Sequence, residues 1–327
     1  MKVLQGERLS EAEAGLAMAS IMDGGATPAQ IGALLAALAV RGETEDEVVG
    51  FARTMRERAI PLRVRGAVDT CGTGGDGAGS FNISTVASFV VAACGVSVAK
   101  HGNRSASGRC GSADLVEALG IAIEAPVDRV ERCLEETGWT FLFAPAFHAS
   151  TRHAAGPRKE LGVRTAFNLL GPLTNPARPR AQVVGVPRPE LAAFLARCLA
   201  RLEVERAFVV HGSGLDEMTL AGPTVVAELL AGAVRARAFV PEDAGLARAP
   251  REAVRGGDAA LNARLAREVL AGAKGPCRDV VVLNAAAALL VAGRTEALRE
   301  GALLAAEAVD SGRAATLLER VQRVLGR

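Results

Sequence analysis

The chain has almost no net charge. Across its 327 residues, 38 Lys and Arg stand against 36 Asp and Glu, a formal balance of +2. That removes the case for a general nucleic-acid or membrane-surface binder and leaves room only for a local basic patch. There is no C-x-x-C pair. The six cysteines, Cys71, Cys94, Cys110, Cys133, Cys198 and Cys277, are scattered, which speaks against zinc and against a redox dithiol and reads as free thiols in a reducing cytosol. None of the histidines (His101, His148, His153 and His211) forms a pair at metal-ligand spacing, G-x-S-x-G is absent, and no Ser-His-Asp order suggests acyl chemistry. The opening MKVLQGERLS lacks the apolar core of a signal peptide. The longest apolar run, at 279–293, is too short for a bilayer and carries Asn284, so it predicts a buried helix. No internal repeat and no low-complexity linker breaks the chain. A cytoplasmic protein with a substantial core is the expectation.

What is there begins with helix signals. Ser10 with Glu13, Thr27 with Gln30 and Thr44 with Glu47 have the capping-box spacing, Pro28 takes a first helical position, and Gly24, Gly25 and Gly42 fall where the first two helices should stop. Residues 1–60 therefore predict an all-helical region. From residue 67 the pattern alternates. AVDTCG, VSVAKHG, IAIEA and WTFLFAP read as strands, with helices between them, and AQVVGV and RAFVVHG continue the series. Such alternation implies parallel strands joined by crossover helices. FNLLGPLTNPARP at 167–179 interrupts it as a hinge or loop, and the C-terminal quarter reads as Ala/Leu-rich helix.

Chemistry concentrates in a few stretches. After the first strand, Gly72, Gly74, Gly75, Gly77 and Gly79 surround Asp76 and precede Ser80 and the NIST run at 82–85. A glycine turn entering a helix exposes N–H groups to an anion. Gly72, Gly74 and Gly77 fit the dinucleotide fingerprint, but the acid it requires at the next strand end is replaced by Lys100 and His101, which argues against NAD. That second strand end opens KHGNRSASGRCGS at 100–112, with Lys100, Arg104 and Arg109 for charge and Ser105, Ser107 and Ser112 for hydroxyls. Two neighbouring strand ends thus both offer anion loops, where one polyphosphate would reach both; two ordinary glycine turns are the plainer alternative. Asp216 and Glu217, adjacent after a strand, suit magnesium, which would also account for Asp76 and give Ser84 a role; alone, they read equally as a solvated acidic turn. Arg158, Lys159 and Arg164 form either a solvated helix face or a fork for a substrate carboxylate.

GTGGD (72–76), NIST (82–85), KHGNR (100–104), GSADLVEALG (111–120), FNLLGPLTNPA (167–177) and GLDE (214–217) together resemble the anthranilate phosphoribosyltransferases of tryptophan biosynthesis, in order and spacing along nearly the whole chain. The resemblance implies a small all-helical N-terminal domain, 1–66, on which a hinge segment near 162–180 packs. It also implies a large α/β domain, 67–327, with a mainly parallel central sheet of the nucleoside phosphorylase/phosphoribosyltransferase kind. It implies phosphoribosyl transfer to anthranilate with magnesium, no obligatory general base, and a homodimer through the helical part. Carried over by position, the phosphoribosyl pyrophosphate contacts would be Gly72, Gly75, Asp76, Ser80, Asn82, Ile83, Ser84, Thr85, Lys100, His101, Gly102, Asn103, Arg104, Ser105, Ala106, Ser107, Gly108 and Ser112. Anthranilate would meet Gly72, Asn103 and Arg158, and magnesium would meet Ser84, Asp216 and Glu217. Gly108 and Cys110 stand where the family often has serine. Pyrimidine nucleoside phosphorylases share the fold but use a lysine-bearing glycine loop. A nucleic-acid-binding branch without the activity is the alternative, opposed by the near-zero charge and the intact GLDE and KHGNR runs.

Overall fold

The computed structural model describes residues 2–64, 66–105 and 109–326. Three helices come first: α1 (Glu11–Met22), α2 (Pro28–Arg41) and α3 (Glu45–Glu57). Each starts at its predicted capping box, with the Ser10, Thr27 or Thr44 side chain accepting from the backbone N–H of Glu13, Gln30 or Glu47. Glu47 goes further. Fully buried, it accepts from the Leu9 and Thr44 N–H groups at 2.9 Å each and from Arg41 at 2.5 Å, tying together three helix ends. Burial works against its charge, but those hydrogen bonds outweigh burial and hold the carboxyl below its ordinary range.

The alternating part follows as β1 (Val68–Gly72), α4 (Ile83–Ala93), β2 (Val98–Gly102), α5 (Ser112–Ala118), α6 (Val127–Thr137), β3 (Trp139–Phe143), α7 (Ala144–Phe147), α8 (Arg152–Leu161), α9 (Phe167–Leu170), β4 (Ala181–Gly185), α10 (Glu190–Arg201) and β5 (Arg206–His211). Two further strands, β6 (Thr224–Leu230) and β7 (Ala233–Phe239), form a hairpin, and four helices close the chain: α11 (Ala259–Leu270), α12 (Pro276–Val291), α13 (Leu298–Asp310) and α14 (Arg313–Leu325). The sheet order is β3-β2-β1-β4-β5-β6-β7, parallel from β3 to β5 and antiparallel beyond. The expected strand IAIEA does not form. Only Ile121 makes a bridge, to Gly326, because the next place in the sheet is taken by β3. The hairpin was not anticipated from sequence.

Alternate residues of the parallel strands feed different cores. Val98, Phe141, Val183 and Phe208 face a layer containing α4 and α12, while Val184 and Val209 face α10 and the N-terminal helices. Trp139 lies in the first layer, stacked on Phe89 at 4.2 Å with its indole N–H on Ser88. In the second, Val49 and Phe51 of α3 share one cluster with Leu169, Leu170 and Leu173 of the predicted hinge and with Leu195 of α10. The hinge is a short helix and a tight turn, clamped by side chains. Its carbonyls at Gly171, Pro172, Leu173 and Thr174 accept in turn from His101 (3.0 Å), Gln182 (3.0 Å), Arg56 (2.6 Å) and His148 (2.9 Å). Asn175 then donates to Asp69 and to the Ala99 carbonyl, both at 2.8 Å.

Candidate active site

From β1 the chain builds toward β2 and β3 on one side, and from β4 toward β5 on the other. A crevice opens outside the strand ends at such a reversal. Gly72 and Gly185, the last residues of β1 and β4, are register partners there. The acidic segment at 214–217 lies across these ends and needs them bare. A Cβ on Gly72 would stand 2.7 Å from the Asp216 carboxylate, one on Gly185 would stand 1.6 Å from the Asp216 carbonyl, and one on Gly212 would stand 2.3 Å from the Glu217 carbonyl.

The first glycine loop is held at a few points and open between them. Gly74, Gly75, Gly77 and Gly79 all have φ between +65° and +82°, a region that favours glycine. The Thr73 N–H donates to the Gly185 carbonyl at 2.9 Å, the Gly74 N–H donates to Asp216 Oδ2 at 2.9 Å, and the Ala78 N–H donates to Asp76 Oδ1 at 3.0 Å. The N–H groups of Gly75, Asp76 and Gly77 donate to no described residue. They lead into the N-terminus of α4, where Asn82 makes no capping hydrogen bond. Its amide instead joins the two loops, donating to the Cys110 carbonyl at 3.1 Å and accepting from Asn262 of α11 at 2.9 Å. Ser80 bridges to Arg255. Ile83 and Thr85 are buried, so their backbone is what they can offer a ligand.

In the second loop Gly102 closes against Ser112, where a Cβ would be 2.2 Å from the hydroxyl. The exposed Asn103 donates its N–H to that hydroxyl at 3.2 Å. Arg104 is also exposed and pairs with Asp114 (2.8 Å) and Glu117 (2.9 Å), while the Ser105 N–H reaches Asp114. Ala106, Ser107 and Gly108 lie outside the described residues. Lys100 and His101 correct the reading from sequence. Both side chains are buried and turned inward, Lys100 onto the Thr70 carbonyl and His101 onto the Gly171 carbonyl. A parallel strand is covered on both faces, so either direction from it leads into protein.

Asp216 and Glu217 sit deep in the crevice. The Asp216 N–H donates to Asp76 Oδ2 at 3.2 Å, and the Ser84 N–H donates to Glu217 Oε1 at 3.0 Å. Burial, followed for Asp216 by repulsion from Glu217 and Asp76, pushes both carboxyls above their ordinary range; Lys100 opposes the rise at Glu217. Such crowding of negative charge is what a divalent cation relieves, and the hydroxyl of Ser84 faces the same carboxylate. Among the described residues no three His, Cys, Asp or Glu side chains form a ready set of metal ligands. Magnesium bound through one or two carboxylates, water and substrate phosphate needs no such set.

On α8, Arg158 is half-buried with its guanidinium 4.7 Å over the Phe167 ring, and its side chain makes no hydrogen bond or ion pair with a described residue. Burial pulls it below its ordinary pKa. The contacts that join the glycine loop to Ser84 and the acids do not reach it. Arg164 does reach the loop, donating to the Gly74 carbonyl at 2.9 Å. Nothing in the charge run at 157–164 separates Arg164 from its neighbours by sequence; only the glycine loop it touches does.

Two family descriptions match the chain: the glycosyl transferase family a/b domain over residues 65–315, and the helical bundle domain of the same family over residues 1–59. The anthranilate phosphoribosyltransferase of Moorella thermoacetica is 58% identical over 321 residues, covering 97% of this chain and 95% of that protein. The crystal structure of the Thermus thermophilus anthranilate phosphoribosyltransferase superposes with a TM-score of 0.94 at 51% identity, covering 99% of this chain and 98% of that one. The Saccharomyces cerevisiae enzyme in complex with PRPP and Mg superposes with a TM-score of 0.88 at 28% identity, over 99% and 96% of the two chains.

Proposed function

Because this chain belongs to the glycosyl transferase family, and within it to the anthranilate phosphoribosyltransferases, we infer that it transfers the phosphoribosyl group of 5-phosphoribosyl 1-pyrophosphate to the amine of anthranilate. The products are N-(5-phosphoribosyl)-anthranilate and pyrophosphate, the second step of tryptophan synthesis from chorismate. The observation that carries this reading is the pairing of a glycine loop, whose Gly75, Asp76 and Gly77 N–H groups donate to no described residue, with a buried acid pair at one crevice. A nucleic-acid binder has no use for that pairing.

In the reaction the anthranilate nitrogen bonds to C1 of the ribose, the bond from C1 to the pyrophosphate oxygen breaks so that pyrophosphate leaves with the electron pair, and the amine gives up a proton to solvent. An aromatic amine is neutral at pH 7, so its lone pair is already free and no residue is assigned as base. The protein's part is orientation and charge stabilisation. The free N–H groups of Gly75, Asp76 and Gly77 and the N-terminus of α4 face the donor's phosphates, with Gly72, Ser80, Asn103 and Ser112 around them. Lys100 and His101 support the loop from beneath, Lys100 on the Thr70 carbonyl and His101 on the Gly171 carbonyl. Ser84, Asp216 and Glu217 would hold magnesium, which when bound offsets charge on the pyrophosphate. Gly72, Asn103 and Arg158 orient anthranilate, Arg158 through its carboxylate.

The chain divides near residue 66 into the helical unit, joined by 162–180, and the α/β unit. Leu16 of α1 and Val40 of α2 are 73% and 90% exposed, and in the homodimer that the family resemblance implies, a second copy of the chain would cover these helices. All six cysteines are free, and no described helix is long and apolar enough to cross a membrane; both accord with the cytoplasm. Anthranilate fluorescence tests the reading. Loss of signal that requires both the donor and magnesium is expected, and a constant signal with all components present would overturn it.

A further inference from the structure

We propose that Arg164 is a positioning residue for the phosphoribosyl donor: by holding the Gly74 carbonyl it turns the N–H of Gly75 into the anion site. The inference rests on the function proposed above. It starts from the peptide bond between two glycines. Gly74 and Gly75 have φ of +66° and +82°, and no peptide bond in the described chain is cis. In a planar trans peptide the carbonyl of one residue and the N–H of the next point in opposite directions. Between two glycines such a unit turns over at little steric cost, so its direction must be set from outside.

One side chain sets it. The Arg164 guanidinium donates to the Gly74 carbonyl at 2.9 Å, while Asp216, accepting from the Gly74 N–H at 2.9 Å, fixes the preceding Thr73–Gly74 peptide. With that carbonyl fixed toward Arg164, the Gly75 N–H points away from it. Gly75 is exposed, and its N–H donates to no described residue. Turned over, the same unit would present a carbonyl oxygen to a phosphate. The fit is close: a Cβ on Gly75 would lie 1.6 Å from Arg164 Nη1. Gly75 is therefore bare for two reasons, its left-handed backbone and the guanidinium laid against it. The clamp also links the segment just after α8, the helix that carries Arg158, to the donor loop.

The test is a double-mutant cycle on the full chain, with each substrate varied separately. Arg164→Ala should raise the KM for the phosphoribosyl donor about tenfold, the scale of one charge-assisted hydrogen bond. It should leave the KM for anthranilate within about twofold and the thermal midpoint almost unmoved, since Arg164 is exposed. Arg164→Lys should recover part of the loss, because an ammonium still donates to a carbonyl. Gly75→Ala should damage donor binding in the parent, yet add much less to Arg164→Ala, where the clash is gone and only backbone strain remains. An unchanged donor KM, an equal rise for both substrates, or fully additive effects would each overturn the proposal. Parent activity is the separate control: if the unmutated protein consumes no anthranilate, the functional reading fails, and calorimetry with the donor alone still decides whether Arg164 sets its affinity.

Discussion

Arg158 holds a half-buried charge against one aromatic face, with its fork unoccupied by any described residue. Anthranilate offers a single charge, its carboxylate, and a guanidinium grips both oxygens. Arg158→Ala is expected to raise the KM for anthranilate roughly tenfold to a hundredfold, the worth of about 1.5–3 kcal/mol, with the donor constant nearly unchanged. Steady-state kinetics check it, and an unaltered anthranilate KM would return Arg158 to the status of a packing residue. The acid pair gives a second expectation. Asp216→Asn combined with Glu217→Gln should lower activity at low magnesium by roughly tenfold or more, since a catalytic cation is worth several kcal/mol. Full activity of that variant in a magnesium titration would remove the metal assignment. At this scale the sequence was a partial guide. Asp216 and Glu217 stood out because adjacent acids at a strand end are costly without a cation. Lys100 did not reveal its direction, because a lysine that ends a strand is written the same way whether it reaches ligand or, as here, the carbonyl of Thr70.

Among the elements, the clamped turn after α9 is the one that pH should loosen. His101 and His148 lie edge to face at 5.5 Å, each spending one ring nitrogen on a turn carbonyl. Among the described residues His101 Nε2 has no partner, and the second ring nitrogen of His148 has at most the Met55 backbone. Burial, then the neighbouring His148, push His101 down to about 3; burial likewise lowers His148. In the unfolded chain a histidine titrates near its ordinary value of about 6.5. Below that pH the unfolded state takes up protons that the folded state refuses. Stability is thus fully present above about pH 6.5 and falls as pH drops toward the folded value, by up to about 1.4 kcal/mol per pH unit for each group. Urea midpoints at pH 7 and pH 4.5 should show a smaller acid loss for His101→Gln than for the parent, and equal losses would refute the linkage. Helix starts were the most legible elements, since a capping box is a local contract between residues three apart. The β6–β7 hairpin was hidden because its turn uses Ala231 and Gly232, with φ of +48° and +81°, in place of the Asn-Gly or Asp-Gly that advertise such turns. IAIEA had the alternation of a strand but no vacant sheet edge to join, and vacancy is a property of the whole fold.

For the whole molecule, the helical unit and the sheet are not separately built. Residues of α1, α2, α3, α9, α10 and β4 meet in one apolar cluster, and Arg53, Arg56 and Arg201 sew α1 and α3 to α10 and the turn. The exposed Leu16 and Val40 lie outside that cluster, and the dimer proposed above would cover them. Leu16→Glu with Val40→Glu should therefore shift the protein from dimer to monomer in sedimentation at a concentration where the parent is paired. An unchanged sedimentation coefficient would place the contact elsewhere. That the sheet is mainly parallel was legible from alternation, because a crossover helix returns the chain to a parallel strand; the order of the strands was not. The shared core was not, because it joins residues more than a hundred positions apart.

The three bare strand ends at Gly72, Gly185 and Gly212 also bear on how this scaffold can be reshaped. The floor of the crevice is main chain laid directly on main chain, so at Gly185 and Gly212 even a methyl group collides with backbone. Redesign for a different amine acceptor has nothing to vary there. Its alphabet lies on the walls, in α8 and the second loop, since Asp76 of the first loop accepts from the Asp216 N–H and so belongs to the floor.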